Sequence, residues 1–324
     1  MKTLLEEMLL ALLMGTVIPG LLLSGLVWIR ERQPSEPEPV LRETEAPAAK
    51  KVPLSVRVRK EDETVEEGDM DAYLVGVVLA EMPAYFESEA LKAQAVVART
   101  YARRAWETGG KHGDGSVCGD YACCQAYISQ EDYLARGGRE EDVEKIRAAV
   151  LETSGQVLTY GGELIEATYF SCSGGQTEDA EAVWGTDFPY LRSVESPGEE
   201  EADHYRDTVS FSAGEFQKLL DIQPPGSPDS WFGEVTYTPG GGVETVSIGG
   251  TQFHGTQLRQ LLGLRSTVFS FAVEADQIHI HTKGYGHRVG MSQYGADAMA
   301  VAGSDYTQIL AHYYQGTELT EIPG

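Results

Sequence analysis

Residues 71–102 of the chain read DAYLVGVVLAEMPAYFESEALKAQAVVARTYA, and this stretch decides the fold around it. Its first ten residues predict a helix, because their apolar side chains recur at helical spacing on one face. Ser88 can cap a second, longer helix whose apolar residues lie three and four positions apart. Between the two helices stands Pro83, which disfavours helical geometry at Met82. We therefore predict that Glu81 lies at the end of the first helix.

The hydrophobic pattern outside this stretch predicts further helices and hairpins. In chain order they are a strand at 53–58, a helix at 140–153, a hairpin of strands 156–160 and 163–170 around Gly161-Gly162, a helix from a Ser212/Glu215 capping box to residue 220, a glycine-rich hairpin turn at 239–242, strands at 268–273 and 277–281, a helix after Met291 and a last helix capped by Ser304. Helices and strands do not alternate as they do in βαβ proteins. We therefore predict an α+β fold in which helices and antiparallel hairpins or sheets form a cleft.

The N-terminal region differs in composition from the rest of the chain. Residues 8–29 carry no charge and are long enough to cross a bilayer core of about 30 Å. A cleaved signal peptide is the alternative, but no small-residue cleavage motif follows the apolar run. The next segment is rich in proline and glutamate, which predicts an extended stalk. The sequence thus predicts a membrane anchor at 1–30, a linker at 31–52 and a domain at 53–324. The flanking charges, Lys2 on one side and Arg30 and Arg32 on the other, give a contradictory orientation. We predict an extracytoplasmic domain because the chemistry of the motifs described below requires it.

The charge balance excludes one class of partner. Fifty acidic and 25 basic residues give a formal net charge of −25. Binding to nucleic acid needs a basic surface that faces the phosphates, and the sequence shows none. A carbohydrate partner stays possible, because sugars are recognised through hydrogen bonds and stacking.

Glu81 is the first candidate for catalysis. The residues beside it are apolar, and a carboxyl group that they desolvate would have a raised pKa. A general acid at a glycosidic oxygen needs such a pKa. The pattern alone favours a solvated glutamate at a helix end.

A second candidate site is a loop that contains one histidine and three cysteines. His112, Cys118, Cys123 and Cys124 fall within 13 residues and can supply four ligands to a tetrahedral zinc ion. In an oxidising exterior, a disulfide from Cys118 to Cys123 or Cys124 would explain the same cysteines. The spacing leaves both interpretations open.

Two polar, glycine-rich segments form a third candidate site, at 169–175 and 284–295. Glycine lets the backbone approach a ligand closely, and the polar and aromatic side chains suit sugar hydroxyls and sugar faces. The candidate substrate-binding residues are Ser171, Ser173, His287, Gln293 and Tyr294. A serine–histidine hydrolase is an alternative, but no G-x-S-x-G turn surrounds either serine.

Taken together, these motifs resemble the stage II sporulation protein D family over roughly residues 54–320. The matching motifs are GVVLAEMP at 76–83, SEALKAQA at 88–95, ARTY at 98–101, S-x-SGG at 171–175, VWG at 183–185 and the segment 284–295. The resemblance implies a lytic transglycosylase that acts on peptidoglycan while the forespore is engulfed. It implies that Glu81 is catalytic and that Arg99 and Tyr127 hold substrate.

The family's zinc loop has the pattern H-x5-C-x4-H-C-Q-x-Y, and the resemblance aligns it with residues 112–127. Cys123 departs from this pattern because it replaces a histidine, so the implied zinc ligands become one histidine and three thiolates. The resemblance implies that this structural zinc braces the loop presenting Tyr127. A hydrolase that uses the metal in catalysis is disfavoured, because a site with four protein ligands is closed.

The resemblance also implies the surroundings in which the chain works. Its substrate would be glycan strands freed of their stem peptides, and its partners a peptidoglycan amidase and a membrane scaffold protein. It would lie in the mother-cell membrane with its catalytic domain facing the forespore. The alternative within the family is a module that binds glycan or assembles the complex without catalysis. Glu81 within its motif favours the enzyme.

Overall fold

The computed structural model describes residues 54–322. The predicted anchor and the predicted linker both lie outside these residues. Within the described part, no helix is long and apolar enough to cross a membrane. All described residues fall within one unit of the chain, whose buried apolar side chains form two clusters.

The helices are α1 (Met70–Glu81), α2 (Ser88–Thr108), α3 (Gln130–Ala135), α4 (Glu140–Glu152), α5 (Ala180–Trp184), α6 (Ala213–Leu220), α7 (Gly255–Leu261), α8 (Gln293–Val301) and α9 (Tyr306–Tyr313). The strands are β1 (Ser55–Arg59), β2 (Val65–Asp69), β3 (Val117–Cys118), β4 (Gln156–Tyr160), β5 (Glu163–Leu164), β6 (Tyr169–Phe170), β7 (Arg206–Ser212), β8 (Phe232–Tyr237), β9 (Val243–Ile248), β10 (Thr251–His254), β11 (Val268–Glu274), β12 (Gln277–Lys283), β13 (Met291–Ser292) and β14 (Glu318–Glu321). The strands form small sheets in the orders β2-β1-β3, β10-β9-β8, β11-β12-β7, β13-β6 and β14-β4-β5.

Helix α1 forms the centre of the larger apolar cluster. The Asp69 side chain accepts a hydrogen bond from the Ala72 backbone and so caps its first turn. Most of its side chains are buried, because both α2 and α4 pack against it. It ends at Glu81, as the sequence predicts, because Met82 before the proline is extended.

The mixture of helices and small sheets agrees with the predicted fold class, but three details of the prediction are wrong. The strand predicted at 163–170 ends at Leu164, and β6 pairs instead with β13 at a distant point of the chain. That pairing is parallel, as is β1 with β3, so the sheets are not wholly antiparallel. The last helix is capped by Asp305 in a capping box with Gln308, one residue after the predicted Ser304.

The smaller apolar cluster lies between two three-stranded sheets, one of β7, β11 and β12 and the other of β8 to β10, with α6 and α7. The predicted capping box of Ser212 and Glu215 is present at the start of α6. Near this region, Arg288 and Glu178 are each 1% exposed and lie 3.5 Å apart. Arg288 also donates to the carbonyls of Ser173 and Gly240, and so ties the glycine-rich segments to the turn between β8 and β9.

Candidate active site

Glu81 lies where three distant segments of the chain converge. The backbone N–H of Ala126 donates to Glu81 Oε1 over 2.7 Å, and the Tyr169 hydroxyl donates to the same oxygen over 3.2 Å. The side-chain amide of Gln293 donates to Oε2 over 3.4 Å. The carboxyl group is therefore fixed in orientation by groups from three separate loops and elements.

Burial raises the pKa of Glu81 and outweighs the hydrogen bonds from Ala126, Tyr169 and Gln293, which lower it. A carboxyl group in this setting can keep its proton at a higher pH than an exposed one, as a general acid must. Because Oε1 already accepts two hydrogen bonds, Oε2 is the better position for the proton. Burial also raises the pKa of Tyr169 well above its ordinary range, so its hydroxyl stays a donor. The same donors stabilise the carboxylate once the proton has left.

The raised pKa of Glu81 predicts how stability depends on pH. Below about pH 4.3 the carboxyl group is protonated in both the folded and the unfolded state. As pH rises above that value the unfolded chain loses the proton first, so the wild type should lose stability relative to Glu81→Gln until the folded pKa is passed. Urea unfolding of both proteins from pH 4 to pH 8 measures this difference in the free energy of unfolding. The contributions of all other titrating groups cancel, because both proteins contain them. Glu163→Gln, which removes an exposed carboxylate, is the control. A difference that is independent of pH would contradict the prediction.

The four side chains of the cysteine loop lie close together. The ligand atoms of His112, Cys118, Cys123 and Cys124 all lie within 4.8 Å of one another. The His112 Nε2 atom is 3.5 Å from Cys124 Sγ and 3.8 Å from Cys123 Sγ, and these two sulfur atoms are 3.8 Å apart. Bonds of about 2.3 Å to a tetrahedral zinc place neighbouring sulfur ligands roughly 3.8 Å apart. The cysteines are free thiols in this structure, and the four side chains fit a zinc ion.

This loop continues directly into the Glu81 site. Cys124 lines the cleft beside Glu81, and the next two residues both join the hydrogen-bond network. Gln125 is 1% exposed, and its Oε1 atom lies 3.1 Å from the Tyr169 hydroxyl. Ala126 supplies the short backbone hydrogen bond to Glu81. The position of the carboxyl group therefore depends on the conformation of the cysteine loop.

The glycine-rich segments form the opposite part of the site. Of their predicted substrate-binding residues, Ser171, His287, Gln293 and Tyr294 line the same cleft as Glu81. Ser173 does not: it is completely buried, and its backbone N–H and hydroxyl both donate to the Glu199 carboxylate. Ser173 therefore stabilises the loop at 169–175, because its polar groups are hydrogen-bonded to the buried Glu199 carboxylate.

His287 has the properties of a neutral residue within the cleft wall. Burial, followed by the charge of Arg259, lowers the pKa of His287 to about 4. Its Nδ1 atom accepts a hydrogen bond from the Val289 backbone, and its ring packs against Phe170 and Trp184. Within the described chain, neither Ser171 nor Ser173 forms a hydrogen bond with it. The geometry therefore does not support the serine–histidine hydrolase alternative.

The cleft has a volume of about 1110 Å³ and several aromatic walls. Exposed faces of Tyr121, Trp184 and Tyr285 are suited to stacking on sugar rings. Tyr169, the residue that donates to Glu81, belongs to the segment 169–175, but its role cannot be seen from the pattern. The local richness in aromatic residues was the one sequence signal for these contacts.

A family model described as "Stage II sporulation protein" matches residues 58–160, which carry Glu81 and the cysteine loop. Stage II sporulation protein D of Bacillus amyloliquefaciens is 42% identical over 289 residues, covering 87% of this chain and 83% of that protein. The Bacillus subtilis (strain 168) protein of that name is 41% identical over 282 residues, covering 85% and 82%. The chain belongs to the stage II sporulation protein D family. The amidase enhancer of Bacillus subtilis (strain 168) is also similar, with 30% identity over 306 residues, 76% of this chain and 40% of that protein.

In this member of the stage II sporulation protein D family, Arg99 lies in the core and not in the cleft. Its side chain is 0% exposed, and it forms an ion pair of 2.9 Å with Asp71. It also donates to the backbone carbonyls of Val150 and Thr153 at the end of α4. These contacts hold α1, α2 and α4 together. The structure therefore places Arg99 away from the cleft, where it does not contact substrate.

Tyr127 also lies apart from the cleft of this family member. Its ring stacks on Tyr73 at a centroid distance of 5.6 Å, and 40% of the residue is exposed on another face. Gly76 makes this packing possible, because a Cβ atom there would lie 2.4 Å from the Tyr127 ring. The cysteine loop thus directs the Ala126 N–H at Glu81 and the Gln125 side chain at Tyr169, whereas the resemblance implied that it presents Tyr127.

The cleft also contains a second carboxylate that the sequence did not single out. Glu166 lines the cleft and forms an ion pair of 2.5 Å with Arg104. Glu89 is an acid close to Glu81 along the chain, at the start of α2. It lies outside the cleft lining, because it pairs with Lys92 and accepts a hydrogen bond from the Tyr306 backbone. Glu166 is therefore the acid to test if a second carboxylate takes part in the reaction.

Proposed function

We propose that the chain is a peptidoglycan lytic transglycosylase that cleaves the bond between N-acetylmuramic acid and N-acetylglucosamine during sporulation. The observation that carries this proposal is the buried Glu81 carboxyl group, with its raised pKa, at the wall of an aromatic-lined cleft. Membership of the stage II sporulation protein D family supports the biological setting. The aromatic faces in the cleft support a glycan as the substrate.

Glu81 acts as the acid and then as the base. Its proton, held on Oε2, passes to the glycosidic oxygen as the bond to C1 of the muramic acid breaks. The C6 hydroxyl of that sugar attacks C1 and closes a 1,6-anhydro ring, and its proton returns to the Glu81 carboxylate. The backbone N–H of Ala126 and the Tyr169 hydroxyl stabilise the carboxylate between these steps. The sugar supplies its own nucleophile, so the paired carboxylates of most glycoside hydrolases are not needed.

We also propose that the cysteine loop binds a structural zinc ion. His112, Cys118, Cys123 and Cys124 would hold it, and their mutual distances support four-coordinate binding. When bound, the ion would cross-link the loop without taking part in the reaction. The benefit to catalysis is indirect, because the loop carries the Ala126 N–H that holds Glu81.

The setting proposed for the enzyme is the mother-cell membrane, with the catalytic domain outside the cytoplasm and facing the forespore. The uncharged run at 8–29 supports a single-pass anchor. A peptidoglycan amidase is the proposed partner, and the similarity to a protein named amidase enhancer supports it. A membrane scaffold protein is the second proposed partner, on the strength of the family resemblance.

The products of the reaction test the proposed mechanism. Incubating the full-length chain with glycan strands freed of peptide should yield fragments that end in 1,6-anhydro-N-acetylmuramic acid. Hydrolysis would yield reducing ends instead, and mass spectrometry separates the two because they differ by one water. Reducing ends that disappear in Glu166→Gln would show that Glu166 activates water and would contradict the proposal. Binding without any cleavage would favour the non-catalytic glycan-binding module.

A further inference from the structure

Arg259 lies on α7 and lines the same cleft as Glu81. Its Nε atom donates to the backbone carbonyl of Arg265 over 3.2 Å, and the backbone N–H of Gly286 donates to the same carbonyl over 3.0 Å. This shared acceptor ties the base of the guanidinium group to the glycine-rich segment 284–295. The side chain is thus held in place at the cleft wall.

The guanidinium group of Arg259 has no acidic ion-pair partner within residues 54–322. Its two terminal nitrogens form no hydrogen bond or ion pair there, although the whole chain carries a net charge of −25. Two other partly buried arginines have acidic partners: Arg104 pairs with Glu166, and Arg265 pairs with Asp207. Burial lowers the pKa of Arg259, which records the cost of removing an unpaired cation from water. An anionic ligand in the cleft would offset that cost.

The position of Arg259 connects it to the catalytic carboxyl group through the cleft wall. Burial and the positive charge of Arg259 lower the pKa of His287, and both residues line the cleft. The His287 ring packs against Phe170 at a centroid distance of 5.6 Å. Phe170 follows Tyr169, which donates to Glu81. His287 is neutral because its pKa is low, so it does not supply the positive charge. An anion on Arg259 would therefore lie on the same continuous surface as the bond to be cleaved.

Lys111 is a weaker candidate for the same task. It also lines the cleft, but it is exposed and its ammonium group already donates to the Cys123 carbonyl. A guanidinium group can bind both oxygens of a carboxylate through two parallel hydrogen bonds, whereas an ammonium group acts as a point charge. The free, partly desolvated fork of Arg259 is better suited to a planar carboxylate.

We propose that Arg259 is a specificity-determining residue that binds the lactyl carboxylate of an N-acetylmuramic acid unit. This inference rests on the proposed function, because it takes the substrate to be a peptidoglycan strand. The lactyl group carries a free carboxylate only after its amide bond to the stem peptide is hydrolysed. Arg259 therefore makes the enzyme selective for strands that an amide hydrolase has already processed.

Binding to a catalytically inactive protein tests this proposal separately from cleavage. In the full-length Glu81→Gln background, muramic-acid tetrasaccharides with a free lactyl carboxylate are compared with the same sugars whose carboxylates have been converted to amides. Arg259→Met should weaken binding of the free carboxylate form roughly 10- to 100-fold, the range expected for a charged hydrogen bond. It should leave binding of the amide form unchanged. Arg259→Lys should give an intermediate loss, because it keeps the charge but not the fork.

Arg136→Met is the matched control, because this arginine is exposed and outside the cleft lining. Equal losses for both sugars in Arg259→Met and Arg259→Lys would overturn the proposal and give Arg259 a structural role. Tighter binding of peptide-bearing strands, lost in Arg259→Met, would overturn the lactyl assignment in favour of a stem-peptide carboxylate. Failure of the proposed function has a different signature, since wild-type protein would then cleave none of these strands, whatever the binding results.

Discussion

Glu81→Gln should reduce the cleavage of glycan strands by about 10²- to 10⁴-fold or more, the range that general acid–base catalysis contributes. The amide cannot donate a proton to a leaving oxygen at neutral pH. Its own oxygen can still accept hydrogen bonds from Ala126 and Tyr169, so the shape of the site should persist. The measurement is the initial rate of strand cleavage, together with the affinity for uncleaved tetrasaccharides.

The affinity measurement separates loss of chemistry from loss of binding. Binding by Glu81→Gln should stay within a few-fold of the wild type, and its circular dichroism spectrum should be unchanged. Glu163→Gln removes an exposed carboxylate outside the cleft lining and should retain full activity. Substantial cleavage by Glu81→Gln, with normal products, would show that another group supplies the proton.

The second large effect is expected at the cysteine loop. Cys124→Ser should lower the free energy of unfolding by several kcal/mol, because binding of a structural zinc is also folding free energy. It should also lower the rate of cleavage, since the N–H of Ala126 that holds Glu81 follows two residues later. Elemental analysis of the wild type should find about one zinc per chain, and the variant should contain less.

Cys172→Ser provides the matched control for this substitution. Cys172 is buried away from the other cysteines, and its thiol donates to Glu199 Oε2, which a serine hydroxyl can also do. This variant should keep its full zinc content and nearly all of its activity. Wild-type protein that contains no metal, and whose mass shows that two of the loop thiols have lost their hydrogens, would establish a disulfide in place of the zinc site.

Local features of the sequence were enough to predict many of the elements. The proline after Met82 ends α1 at Glu81, and the polar side chains of Ser212 and Glu215 start α6. The two glycines at 161–162 both adopt positive φ in the predicted hairpin turn. Each of these features acts within a few residues of the chain, so the pattern alone reveals it. The clustering of one histidine and three cysteines is local in the same sense.

Tertiary structure alone decided which groups meet at the site. The hydrogen bonds to Glu81 come from residues 45, 88 and 212 positions away, and no periodicity encodes such contacts. Tyr127 lies beside Ala126 in the chain but faces away from the cleft, because its ring stacks on Tyr73. Arginine is a residue type that often binds substrate, yet Arg99 is buried. Its guanidinium group is paired with the carboxylate of Asp71 and with the carbonyls at the end of α4. The sequence could therefore point to the candidate carboxyl group and to the cysteine loop, whereas packing between distant segments determined their surroundings.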